Sequence, residues 1–440
     1  MSTAAPAARP PGGAGFMVRA LRHRNYRLFF SGQSVSLIGT WMTRIATSWL
    51  VYRLTGSALL LGLVGFAGQI PSFLLAPFAG VLIDRWNRHR LLIVTQILAM
   101  LQSAALAVLA LTGVINIWHV LALSLFQGLI NSFDMPARQA FVVQMVEDRA
   151  DLGNAIALNS SMVNAARLLG PSIGGVLIAA VGEGWCFFWD ALSYLAVIAS
   201  LVLMRLPARP QRTAAKSKVL PELREGLAYV AASPPIRSIL LLLALVSLVG
   251  MPYTVLMPVF ASTVLHGGPH TLGFLMAATG VGALLGAVFL ARRRSVLGLG
   301  KVIPTTAALF GASLAAFSLS RFLGLSLALL LVTGVGFMVT MSASNTVLQT
   351  LVEDSKRGRV MSLYTMAIMG MTPFGSLLAG GLASRIGAPH TLLFGGLGCI
   401  AAALWFVLLL PKLRVVVRPI YVEMGILPAT PPPEVMAADL

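Results

Sequence analysis

The stretch Gly80-Val-Leu-Ile-Asp84-Arg85-Trp-Asn-Arg88-His-Arg90 puts one acid and several bases directly behind one long apolar run and directly before another. Such a knot of charge is costly in hydrocarbon, so the flanking runs must end there and the chain must turn back in a short loop. Crossing about 30 Å of hydrocarbon takes about 20 apolar residues at 1.5 Å each. Working outward, runs of that length recur from Leu28 to Leu410. We read twelve: 28–52, 57–83, 91–112, 118–140, 154–181 and 185–204, then 238–262, 271–291, 302–320, 322–350, 360–384 and 390–410. Of 440 residues, 57% are hydrophobic and 10% charged, which excludes a soluble domain of this length. Gly and Pro recur inside the runs, as in closely packed membrane helices. The expected fold is therefore all-α and integral to a membrane.

A net charge of +18 would suit a nucleic-acid binder, but its distribution points elsewhere. If the N-terminus is cytoplasmic, only Arg53, Arg321 and Arg385 of the 32 Lys and Arg fall on the opposite face, with Arg44 and Arg167 inside spans. This is the positive-inside pattern, which predicts cytoplasmic termini and leaves no nucleic-acid partner. The first 24 residues lack a short apolar core with a small-residue cleavage site, so no cleaved signal is expected. Cys186 and Cys399 lie in apolar runs of different halves and read as packing residues. His266 and His270 are separated by Gly267-Gly268-Pro269, which breaks the helix that would align them, so no metal site and no cofactor are expected.

The chain also repeats itself. Gln127-Gly128 through Val146-Glu147-Asp148 parallels Thr333-Gly334 through Val352-Glu353-Asp354 without a gap. Gly170, Gly175 and Gly182 recur as Gly375, Gly380 and Gly387, and Leu61-Gly62 recurs as Leu272-Gly273. An even number of spans per repeat makes the halves parallel. The predicted organisation is a leader (1–24), a six-helix bundle (25–204), a cytoplasmic join (205–237), a second six-helix bundle (238–410) and a tail (411–440). Within the join, Leu220, Leu223, Leu227 and Val230 fall on one face of an expected helix, which reads either as an interfacial helix or as a solvated linker.

Gly80-x-x-x-Asp84-Arg85-x-x-Arg88-x-Arg90 resembles the signature of the major facilitator superfamily between its second and third helices. Asn25-Tyr26-Arg27, Leu54-Thr55-Gly56-Ser57, Asp134-Met-Pro136-Ala-Arg138 and Gly358-Arg359-Val-Met361-Ser362 resemble the drug and siderophore exporter branch, which holds the enterobactin exporter and macrolide-efflux-like proteins. The resemblance spans residues 20 to 412. It implies a latch of Gly80, Asp84, Arg85, Arg88 and Arg90, with Asp84 against the N-terminal end of the eleventh span near Arg359, where helix dipole and carboxylate attract. Arg138 would close the same cluster. The alternative is a basic loop that only fixes orientation, although that rule counts Lys and Arg and has no use for Asp84. In the second half Ser295 stands where Asp84 would recur, so the latch would be one-sided.

Ala166-Arg167-Leu-Leu-Gly170-Pro171-Ser-Ile-Gly174-Gly175 resembles the superfamily's antiporter motif, with Ala166 at its first glycine. It implies export, its glycines letting helices of the two halves approach; generic close packing explains them equally. Ionisable groups inside spans are the substrate or proton candidates, since each costs at least about 2.5–3.5 kcal/mol there. Arg44 and Asp190 lie at similar depth, as an ion pair or as a coupling site. Arg167 has only Asp134 within possible reach, and Gln127 and Asn131 are added polar candidates on the fourth span. Gln127-Gly128 resembles part of a proton-relay motif, but Ser124 replaces its arginine. The expected protein is a secondary exporter of small amphipathic molecules, a monomer among inner-membrane lipids, alternating access and exchanging substrate for protons. An uptake or lipid-flipping transporter and a non-transporting sensor are the rivals. An enzyme is not expected, because no His-Glu-x-x-His, paired intramembrane aspartates or serine elbow occurs.

Overall fold

The computed structural model describes residues 18–205, 219–293 and 295–428, and its regular structure there is helical throughout. After a short turn at Arg19–Arg22 come α1 (Arg24–Thr55), α2 (Ala58–Ala67), α3 (Ile70–Arg85), α4 (Arg88–Leu111), α5 (Ile117–Met145), α6 (Leu152–Val181) and α7 (Glu183–Val202). Then follow α8 (Val219–Ala232), α9 (Pro234–Leu245), α10 (Tyr253–Val259), α11 (Pro269–Ala291), α12 (Leu299–Leu319) and α13 (Leu323–Leu351). The chain ends in α14 (Asp354–Thr365), α15 (Met371–Ile386) and α16 (Ala388–Glu423).

Helix starts follow the capping residues. The side chains of Ser57, Asn87 and Asn116 accept from the backbone N–H groups of Leu60, Arg90 and His119 at 3.3, 3.1 and 3.1 Å. The repeat-related Gly182 and Gly387 both turn the chain at positive φ, 91° and 83°, one residue past α6 and α15. A side chain would be strained at either position.

Among the described residues, ten helical stretches are long and apolar enough to cross a membrane. The two remaining expected spans are α1 and α5, of 32 and 29 residues, which are long enough but diluted by Gln33, Arg44, Gln127, Asn131, Asp134 and Arg138. Two of the predicted spans are interrupted one turn before a proline. Val246–Gly250 and Met366–Gly370 are π-helical turns ahead of Pro252 and Pro373, widening the coil where the ring would strike the carbonyl four residues back. The second predicted span also breaks at Gly68-Gln69, between α2 and α3.

The last helix corrects the expected end at residue 410. It continues through Pro411 to Glu423, because Leu413, Val417 and Tyr421 carry a buried stripe at helical spacing past the charged Lys412 and Arg414. The expected helix of the join is present as α8, and one side of it is packed: Gly226 lies against Arg359 and Val230 is buried, while Leu227 is exposed. Residues 206–218 of the join, Arg294 and the tail from 429 lie outside the described residues, as do the side chains of Leu220 and Leu223.

Helices before residue 205 pack mainly on one another, α1 on α6 and α7, and α4 on α5 and α7. Those after 219 do likewise, with α13 against α11 and α12, and α12 against α16. Two seams join the groups, α2 on α15 and α6 on α11. At the first, a Cβ on Gly62 would stand 2.9 Å from the Cα of Gly380; at the second, one on Gly175 would stand 2.9 Å from the Cα of Gly273. Gly273 is the repeat of Gly62, and Gly380 the repeat of Gly175. The repeated glycines therefore meet crosswise, as a twofold relation between the halves requires. Both contacts lie toward the ends at Thr55 and Val181, called here the far face; the opposite end, carrying Arg24, Arg88 and Lys356, is the basic face.

Candidate functional site

Between α1, α4 and α5 lies a polar cavity of about 40 Å³, lined in part by Gln33, Thr40, Gln96, Gln127, Asn131 and Asp134. That volume holds a water or two, not a drug-sized molecule. Asp134, 3% exposed, is its centre. Its Oδ1 accepts from Thr95 Oγ1 at 2.8 Å and Gln96 Nε2 at 2.7 Å, and its Oδ2 is paired with Arg138 one helical turn on. Gln127 donates to Asn131 at 3.2 Å along the same helix. α5 can present Gln127, Asn131, Asp134 and Arg138 in one column because their spacings of four, three and four residues keep them on one helical face.

Asp190 on α7 is 1% exposed and accepts from Ser103 Oγ at 2.7 Å, while its Oδ1 is buried without a partner. Gly39 opens the space for it, since a Cβ there would come within 2.7 Å of Oδ1. Asp190 therefore meets α1 at Gly39 rather than forming the ion pair considered for Arg44. Arg44 instead lies with its guanidinium over the ring of Trp41, 4.7 Å from the centroid, and Arg167 lies over the same ring at 5.2 Å. Asp134, the acid considered for Arg167, is engaged by Arg138. Partners that the sequence reading missed, Thr95, Gln96 and Ser103, lie with Gln102 on the buried face of α4.

The glycines of Ala166–Gly175 divide their work. Gly170 and Gly174 face Trp41 and Met42 on α1, within one group of helices, and only Gly175 faces the other group at Gly273. The expectation that all these glycines serve approach between the halves thus holds for one of them. Pro171 is buried inside α6, its carbonyl against Gly273.

At the basic face, Arg359 pairs with Glu225 of α8 at 2.7 Å, and Lys356 pairs with the same carboxylate. Arg138 turns inward to Asp134, not toward α14. Gly80, Asp84 and Arg85 are on α3, and Arg88 and Arg90 open α4; the side chains of Asp84 and Arg85 lie outside the described residues.

A second clamp holds the leader. Asp151, 1% exposed, takes Arg19 at 2.9 Å, Arg22 at 2.8 Å and His23 at 2.9 Å. Hydrogen bonds from Arg22 and then His23 hold its carboxyl below the usual carboxylate range. A depressed folded-state value means that the clamp is fully formed above the ordinary carboxylate range and is lost as pH falls through the depressed value. A spin label at Leu21 should accordingly be immobile at neutral pH and mobilise only below pH about 4, whereas Asp151→Asn should free it at neutral pH. An immobile label in Asp151→Asn would show that the clamp does not hold the leader.

A family profile described as transmembrane secretion effector matches residues 17–418. A staphyloferrin A transporter of Staphylococcus aureus is 26% identical over 88% of this chain and 97% of its own length. The multidrug efflux pump Tap of Mycolicibacterium fortuitum is 29% identical over 86% of this chain and 93% of its own. Among solved structures, a bacterial homologue of the human lysosomal transporter Spinster shares the fold, with a TM-score of 0.63 at 14% identity over 94% of this chain and 99% of that one.

Proposed function

The chain belongs to the transmembrane secretion effector family of major facilitator transporters, and from this we propose that it exports small amphipathic molecules, siderophores or drugs, from a bacterial cytoplasm in exchange for protons. In this reading twelve helices form two six-helix bundles, residues 25–204 and 238–410, and the basic face with both termini is cytoplasmic. A central site opens alternately to either side as the bundles rock. The observation that supports it most is the crosswise meeting of Gly62 with Gly380 and of Gly175 with Gly273. Two equivalent seams at one face give a closed gate there, and rocking about them would exchange it for a gate at the other. The names of the relatives, a siderophore transporter and a multidrug pump, support the substrate class. Asp134 and Asp190 are the proposed proton carriers, buried carboxyls near the central space.

Inside-out vesicles test the coupling. With an acid interior, amphipathic probes should accumulate in vesicles carrying the protein and leak away when a protonophore is added. Accumulation indifferent to the gradient would remove proton antiport, and movement only in the opposite sense would identify an uptake transporter.

For the basic face we propose that Asp84 latches against the N-terminal end of α14 when that side closes. Arg359 would then exchange Glu225 for the latch, since the two partners compete for one guanidinium. Asp84→Asn is expected to lower probe flux about 10-fold, as losing about 1.4 kcal/mol from a required state would, with expression unchanged. Flux equal to that of the unmodified chain would leave the loop an orientation signal only.

A further inference from the structure

Two neighbouring cations, stacked on one indole near the junction of the helix groups, lack a counter-ion among the described residues. Among the described residues neither Arg44 nor Arg167 makes an ion pair: Asp134 is paired with Arg138, and Asp190 meets Ser103 and the backbone of α1 at Gly39. Arg167 Nε is buried with no hydrogen-bond partner. The two guanidiniums repel each other, and Arg167 lies within electrostatic reach of Tyr253 on α10, across the junction of the two helix groups. Keeping two like charges together inside a span is costly, and the contact each makes with the Trp41 ring returns only part of it.

The position of the pair says what completes it. Gln33, Leu37 and Thr40 line the polar cavity, and Arg44 is the next residue on that face of α1, one turn closer to the far face. Its side chain is nonetheless accessible. A molecule reaching the centre from the basic face would pass the amides of Gln127 and Asn131 and stop at two guanidiniums held against one indole.

We propose that Arg44 and Arg167, oriented by Trp41, bind the carboxylate of the transported molecule, so that the substrates are amphipathic organic acids rather than cations or neutral compounds. This deepens the exporter reading and rests on it for the word transported. The planar fork of each guanidinium matches a carboxylate's two oxygens, the paired charge replaces the missing counter-ion, and the same field repels cationic amphiphiles.

Equilibrium binding to the purified full chain tests this without requiring transport. N-dansyl-leucine carries a free carboxylate, and N-dansyl-leucinamide differs from it only in that group. Dansyl fluorescence should report at least 10-fold tighter binding of the acid than of the amide. Arg44→Gln and Arg167→Gln should each lower the acid's affinity about 10-fold and leave the amide's unchanged, and the Arg→Lys variants should keep part of the preference. Equal affinities for acid and amide, or binding of neither, overturn the proposal on the unmodified chain alone, whatever the variants do. If the acid is preferred as expected but no vesicle flux is found, the exporter reading falls and the anion site stands.

Discussion

Gly380→Ala and Gly381→Ala, one residue apart on α15, are expected to give opposite results. A methyl group on Gly380 would stand 2.7 Å from the carbonyl oxygen of Ala58 and 2.8 Å from the Cα of Gly62, both backbone atoms that cannot turn aside. On Gly381 nothing lies within 4 Å. The first substitution must push α2 and α15 apart and keep the far face from sealing, while the second adds a favourable helix former at an open place. Spin labels at Thr55 and Ser384 should report a longer distance in Gly380→Ala, with flux reduced more than 10-fold, and no change in Gly381→Ala. Gly175→Ala, 2.8 Å from the carbonyl oxygen of Pro269, should behave like Gly380→Ala at the second seam. Unaltered distances and flux in both would mean that these seams are static packing and not gates.

The second large effect is expected at Asp134. Asp134→Ala removes the common acceptor of Thr95, Gln96 and Arg138 and leaves a partly buried guanidinium alone, a change that costs up to about 3–5 kcal/mol where burial is complete. Arg138 keeps 23% of its side chain accessible, so the loss should fall toward the lower end of that range. Asp134→Asn retains an oxygen for Thr95 and Gln96 and should lose less. Thermal unfolding in detergent would order the chains as unmodified, Asn, then Ala. An Ala variant as stable as the unmodified chain would show that the cluster contributes nothing to the fold.

The architecture was legible because hydrocarbon thickness imposes a length that hydropathy reveals, and because duplicated glycines kept their order. α1 and α5 show the limit of that reading. Turn punctuation marks both as spans, yet most of the polar residues that dilute their apolar character, Gln33, Gln127, Asn131, Asp134 and Arg138, line the polar cavity between α1, α4 and α5. The site was legible in part. Asp134 and Arg138 are one helical turn apart and their pairing could have been read from spacing, but the resemblance to the loop signature directed attention to a cluster with Asp84 instead. The polar residues Thr95, Gln96 and Ser103 were a visible signal in an apolar run. The junction of Trp41 with Arg167 was not, because it depends on Gly170 admitting the Trp41 side chain against α6, a contact between segments far apart in sequence. Likewise Glu225, on a stretch that reads either as an interfacial helix or as a solvated linker, gave no hint of which bases it would meet.

The two clamps at the basic face have reversed polarity. In the first half the bases Arg19, Arg22 and His23 precede the first long helix and the acid, Asp151, stands at the start of α6; in the second half the acid, Glu225, precedes α9 and the bases Lys356 and Arg359 stand on α14. An exchanged docking would set arginine against lysine at one end and carboxylate against carboxylate at the other, and like charges so placed repel. During biogenesis, when both halves thread into the same bilayer, this opposition gives each strap one admissible mate and guards duplicated sequences against mispairing.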